Sequence, residues 1–118
     1  NNASQTIDRI IDSFPSEQQD QVRMQLSTSL IGVFSQRLVA GVSGGLVPAY
    51  ELLINNKAVA NLIREGRTHE IDTVIETGSE YGMIDMNRSL AELVRRGEIT
   101  VEMARMHSLN PAVLERLI

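Results

Sequence analysis

Two histidines, a set of acidic residues and one glycine-rich loop are the places where this 118-residue sequence could do chemistry. His69 and His107 have no cysteine to share a metal with and no second histidine at i, i+4, so each reads as a polar histidine flanking a helix. Glu70, Asp72, Glu76 and Glu80 spread along one helical segment. Glu76 and Glu80 are neighbours at i, i+4, as an acid–base pair could be, yet a solvated face explains them more simply. Gly41-Val42-Ser43-Gly44-Gly45 has the glycine density of a phosphate loop. It lacks the Lys and Ser/Thr pair that would neutralise phosphates and hold Mg²⁺, and it does not lead into a helix N-terminus, so a hairpin turn is the better reading. No serine sits in a nucleophile elbow. Arg95 and Arg96 follow Glu92 at i+3 and i+4 and pair with it locally. Met83, Met86, Met103 and Met106 could line an adaptable groove, but at helical spacing in a chain poor in aromatics they are expected to fill core gaps.

The totals narrow the classes further. Net charge is -4 with no basic cluster, which argues against a general nucleic-acid binder. There are no cysteines, so disulfides, thiolate chemistry and Cys-type zinc sites are excluded. No apolar run approaches the ~20 residues that span a bilayer, and no signal-peptide pattern is present, so direct membrane insertion is not expected. Only 3% of residues are aromatic, which leaves the core to Leu, Ile, Val, Ala and Met. The chain lacks an initiating Met and opens almost directly on a helix cap, which reads as a fragment of a longer protein.

The elements follow from period and punctuation. Ile7, Ile10, Ile11 and Phe14 recur at i, i+3, i+4, i+7 and predict an amphipathic helix from Ser4 to Ser13, ended by Pro15. Ser16 opens a second helix, with Gln19 completing a capping box and Val22, Leu26 and Leu30 inward. Val33 to Val39 and Leu46 to Ile54 then flank the glycine loop as a β-hairpin. Pro48 implies an edge, a bulge or a strand start. Val47 and Leu53 lie on one parity of the second strand, Leu52 and Ile54 on the other, so cover on both faces, or more sheet neighbours, is expected. A train of short helices follows. Thr68 or Asp72 caps one carrying Ile71, Val74 and Ile75; Asp85 caps the next, carrying Met86, Leu90, Leu93 and Val94 up to Gly97. Thr100 starts another with Val101 and Ala104, and Asn110-Pro111 the last with Val113, Leu114 and Leu117.

Between the hairpin and this train stands Lys57 to Gly66. Asn55 and Asn56 are N-cap residues, and Gly66 stands where a left-handed stop belongs. Val59, Leu62 and Ile63 form an apolar face, while Asn61, Arg64 and Glu65 point elsewhere.

The succession Ser35-Gln36-Arg37-Leu38, Ala49 to Ile54 and Ala58 to Gly66 resembles the pilus-retraction (twitching-motility, PilT-like) branch of the type II/IV secretion ATPases. The likeness continues through Thr68-His69-Glu70-Ile71, Val74 to Gly78, Tyr81-Gly82-Met83 and Ser89 to Gly97, back to Ile10 to Pro15 and forward to Asn110-Pro111. The resemblance implies an α+β, mostly helical fold. Residues 1–55 would be the C-terminal part of a RecA-like P-loop ATPase core (two helices and a β-hairpin), and residues 56–118 a helical C-terminal domain. It implies that the ATP- and Mg-binding motifs precede this chain, with Asn1-Asn2-Ala3 directly after a histidine-containing motif. These residues alone would then bind no cofactor and hydrolyse no ATP. Ala58, Val59, Ala60, Asn61, Leu62, Ile63, Arg64 and Glu65 correspond to a family motif, AIRNLIRE, implicated in retraction. Ala60 stands where the family usually has Arg, and Val59 replaces Ile. The absence of Cys separates the chain from assembly-type relatives with a four-cysteine insertion. The implied whole is a homo-hexameric motor in the cytoplasm, peripheral to the inner membrane at the pilus base, with the inner-membrane platform protein as partner and no nucleic acid. Two other readings stay open: a related type II secretion or pilus-assembly ATPase, and a non-catalytic helical interaction module. On a structural reading of the Lys57 to Gly66 helix as only a core and interface element, Arg64 would pair with a nearby carboxylate such as Glu70 and only stabilise the fold.

Overall fold

The β-hairpin is the axis of the structure, a computed structural model that describes residues 2–118; Asn1, the first residue of the expected junction, lies outside the described residues. Strands β1 (Gly32–Ala40) and β2 (Leu46–Ile54) pair antiparallel with Val33 opposite Leu53 and Val39 opposite Val47. The turn between them is closed by the Gly41 N–H on the Gly45 carbonyl at 3.1 Å, and Gly44 and Gly45 take positive φ. The glycine loop is therefore a turn, since only glycine adopts these angles without strain.

Helices α1 (Ala3–Asp12) and α2 (Ser16–Ser29) precede the hairpin. After it come α3 (Lys57–Arg64), a 3-10 turn (Thr68–Glu70), α4 (Ile71–Glu76), a second 3-10 turn (Ser79–Tyr81), α5 (Met86–Arg95), α6 (Val101–His107) and α7 (Pro111–Glu115). This is the mostly helical α+β architecture that the sequence predicts. Apolar side chains gather in two clusters. The first joins Ala3, Ile7 and Ile11 of α1 to Leu53, to Val59, Leu62 and Ile63 of α3, and to Ile71, Ile75 and Met83, with Val22, Leu26 and Leu30 of α2 packed alongside. The second joins Val39 and Ala49, nearer the hairpin turn, to Met86, Leu90, Ala91 and Leu93 of α5 and to Ile99, Ala104 and Leu114. Packing in the first cluster crosses position 55, because α1 and β2 share buried contacts with α3 and α4.

One face of the hairpin is buried and the other is open. Val39, Ala49, Glu51 and Leu53 are covered. On the opposite face Phe34 is 58% exposed and Leu46 63%, with Leu38 and Tyr50 exposed beside them and the Phe34 and Tyr50 rings 5.4 Å apart. The expectation that both faces are apolar holds. One is covered along its length, while on the other Leu52 and Ile54 at the root of β2 are half-buried and the part around Phe34, Leu38, Leu46 and Tyr50 is open. The outer edge of β2 is closed: the Tyr50 N–H donates to Ser89 Oγ at 2.9 Å, and Leu52 exchanges hydrogen bonds with Ile84 at 2.8 and 3.0 Å. Pro48, of the same parity, has no N–H to offer.

Several local expectations are corrected. Ser16 is the first helical residue of α2 rather than its cap, and Gln19 donates to the Phe14 carbonyl at 3.0 Å; the capping box forms on α1 instead, between Asn2 and Gln5. Ile10 and Phe14 do not join the core; they remain exposed beside Val22 and Leu26, because Ala3, Ile7 and Ile11 already fill the narrow stripe that α1 buries. Met83 and Met86 are buried and Met103 partly so, but Met106 is 75% exposed.

Candidate functional site

Helix α3 is fixed at both ends by its own sequence. Asn56 Oδ1 accepts the Val59 N–H at 3.0 Å, capping the first turn. At the other end Gly66 has φ +73, its N–H reaches the Ile63 carbonyl at 3.1 Å, and the Arg67 N–H reaches the Leu62 carbonyl at 2.8 Å. This pair of bonds is the Schellman arrangement, and the left-handed glycine makes it possible. Asn55 does something else than the expected capping of α3. Its Nδ2 donates to the Ser27 and Leu30 carbonyls at 3.1 and 2.7 Å, so it closes the C-terminus of α2 and ties it to the start of α3.

The two faces of α3 divide as the spacing predicts. Val59, Leu62 and Ile63 are buried. Ala58, Asn61, Arg64 and Glu65 are exposed and Ala60 is half-buried. Arg64 Nη1 donates to Asn61 Oδ1 at 2.8 Å, so the two polar side chains hold each other on the outer surface. Glu70 is not the partner of Arg64: it is taken by the fork of Arg67, at 2.5 and 2.7 Å, which holds its carboxyl below the usual range. A groove beside the start of α3 is lined by Lys57, Ala58, Val74, Thr77 and Tyr81.

The acidic residues are redistributed. Glu80 sits in the 3-10 turn after α4 and shares no helix face with Glu76, because α4 stops at Glu76. Asp72 and Glu76 instead share a recess with Glu51 of β2 and Asp85, the N-cap of α5. Burial raises the carboxyl pKa of all four, and for Glu51 the nearby Asp72 and Asp85 charges add to it. Sequence reasoning missed Glu51. The signal was present in its parity, a carboxylate sharing the inward face of β2 with Val47, Ala49 and Leu53. Among the described residues no group of His, Cys, Asp and Glu is arranged to hold a metal ion.

No protein-family model matches the chain. The twitching motility protein of Neisseria gonorrhoeae is 46% identical over 109 residues, 92% of this chain and 29% of its own length. The type IV pilus retraction ATPase PilT of Pseudomonas aeruginosa is 42% identical over the same span, 32% of its length. A crystal structure of the pilus retraction motor PilT with bound ADP superposes with a TM-score of 0.86 at 45% identity, covering 98% of this chain and 32% of the motor. The chain belongs to the PilT-like pilus-retraction branch of the secretion ATPases. It corresponds to the C-terminal part of such a protein and spans about 30% of the length of these relatives. Within this PilT-like chain, α3 has buried apolar residues on one side and the Asn61–Arg64 pair on the other.

Proposed function

We propose that the longer protein carrying these residues is a hexameric pilus-retraction motor that couples ATP hydrolysis to pilus disassembly, and that this chain is its mechanical, non-catalytic end. The observation that carries the reading is the identity of 42–46% to retraction and twitching proteins across 92% of the chain, on a superposable fold. In this reading ATP and Mg bind to residues preceding Ala3, and the motor works in the cytoplasm against the inner-membrane platform protein at the pilus base. The domain border of the longer protein falls near residues 55 and 56. The outer face of α3 transmits nucleotide state to the retraction machinery through Asn61, Arg64 and Glu65.

The test is Asn61→Ala and Arg64→Ala in the longer protein, with pilus retraction measured beside ATPase rate. Loss of retraction at an ATPase rate within about fivefold of the original is the expected result. Normal retraction in both variants would sink the coupling role. A second reading has one observation in its favour: the Asn61–Arg64 bond is internal to α3, as a purely structural pair would be. Thermal melting separates the two, since a structural pair predicts a lowered midpoint and a coupling pair an unchanged one.

A further inference from the structure

Helix α1 is held by three polar side chains that come from elsewhere in the chain. The Ala3 N–H donates to Glu51 Oε1 of β2 at 2.7 Å. The Ser4 hydroxyl stands 3.2 Å from Asp72 Oδ1 of α4 and 2.9 Å from Asn2 Oδ1, and gives its single proton to one or the other. One turn further along, Asp8 Oδ1 accepts the Thr68 hydroxyl at 2.6 Å. Thr68 is two residues beyond Gly66, so this last bond reaches the turn that ends α3. Between these links Ala3, Ile7 and Ile11 pack in the same apolar cluster as Ile63 and Ile71.

Glu51 is the costly member of the set. It is 5% exposed and faces Asp72 and Asp85; the Arg37 charge acts on it, yet among the described residues the two make no hydrogen bond and the buried Arg37 Nε has no partner. An apolar residue would satisfy the strand at lower cost, since burying a carboxylate is expensive unless it is paired. What an apolar residue cannot do is accept the first amide of α1, which no helical carbonyl can reach. A carboxylate at that end also suits the helix dipole.

We propose that Glu51 is a positioning residue which, through Ala3 and α1, links whatever precedes Ala3 to the segment from α3 to α4. A displacement of the chain before Ala3 reaches β2 through the Ala3–Glu51 bond, and the Ser4–Asp72 and Asp8–Thr68 contacts carry it to the first turn of α4 and to the turn between α3 and α4. This rests on the reading that the nucleotide site precedes Ala3, and the experiment separates the two. Amide hydrogen exchange is measured across residues 57–76 of the longer protein, without nucleotide and with ADP or a non-hydrolysable ATP analogue. In the unsubstituted protein the exchange differs between the states. Glu51→Ala abolishes that difference while nucleotide affinity stays within about fivefold. Glu51→Gln keeps it, because the amide oxygen still accepts from Ala3. Persistence of the difference in Glu51→Ala overturns the proposal, as does its loss in Glu51→Gln. Nucleotide binding with no difference in the unsubstituted protein overturns the proposal alone, and failure to bind nucleotide overturns the motor reading with it. Should Glu51→Ala not fold, Thr68→Val cuts the third link at nearly constant volume; a reduced difference supports the linkage and an unchanged one overturns it.

Discussion

The two apolar clusters of this chain are stitched by bonds of different reach. Around the first, the polar links join residues far apart in sequence: Ala3 to Glu51, Ser4 to Asp72, Thr68 to Asp8, and Asn55 to the end of α2. Around the second the side-chain links among the helices are shorter, although the Tyr50–Ser89 and Val42–Glu98 bonds tie those helices to the hairpin over 39 and 56 residues. Asn87 donates to the Asn110 carbonyl at 3.3 Å, Ser108 to Asn87 at 2.6 Å, and Arg105 to Glu115 at 2.5 Å. The second cluster is therefore a run of consecutive helices folded onto the hairpin turn. The first needs the opening helix, the root of the hairpin and α3 to meet at once, so three separate stretches of chain must be ordered before their contacts repay the loop entropy. Helix α3 belongs to the first cluster.

The strongest way to break this contrast is through the hairpin, which enters both clusters. Leu53→Ala removes a fully buried side chain from the first, and a loss of about 3 kcal/mol is expected. Because Leu53 is continuous through β2 with Ala49 of the second cluster, a single melting transition is expected; two resolved transitions would show the clusters to be independent. Next in size is Asn55→Ala. It strips two donors from the end of α2 and should cost about 2 kcal/mol in denaturant titration, with slower folding.

A pH titration sharpens the contrast further. The carboxyls of Glu51, Asp72, Glu76 and Asp85 are raised by burial, so the folded state binds their protons more tightly than the unfolded one. Their contribution is fully present below the ordinary values of 4.5 and 3.8 and is lost as pH rises through the folded values. Glu70 and Glu115 are lowered by Arg67 and Arg105, and their contribution fails in the opposite direction, as pH falls through the folded values. The melting temperature should therefore rise on acidification from neutrality and turn down only once Glu70 and Glu115 protonate. Glu51→Gln should flatten the rising limb, and a melting temperature that falls throughout would contradict the account. The smallest effect expected is at Phe34→Ser on the open face of the hairpin. Stability should change by less than about 0.5 kcal/mol, while solubility at high concentration improves.

How much of this was legible depended on the distance to the partner. Asn56, Asp85 and Thr100 were readable as caps and Gly66 and Gly97 as stops, because each acts within a few residues of itself. The same chemistry misled where a partner lay further off. Thr68 and Asp72 have the side chains of N-caps but no capping bond; one donates to Asp8 and the other faces Ser4. Asn55 looks like a cap for the helix after it and serves the helix before it. The helical period locates α1 correctly, but it does not say how wide a stripe is buried, so Ile10 and Phe14 fit the inward pattern and lie outward. The two faces of α3 were separable because its apolar and polar residues do not mix. Glu51 was not, because hydropathy alone gives no reason for a carboxylate on an apolar strand face, and the reason, the Ala3 amide, is 48 residues away.

The sealed outer edge of β2 gives this small sheet a direction. A two-stranded ribbon normally has two margins open to any passing strand. Here one is spoken for by Ser89 and Ile84 and blunted by Pro48, so a third strand has only the β1 side to join. The seal also comes from residues that leave the ribosome after the hairpin does. Until Ile84 and Ser89 arrive, β2 is as adhesive as β1, and the interval between them is when a nascent chain of this kind is most exposed to pairing with the wrong neighbour.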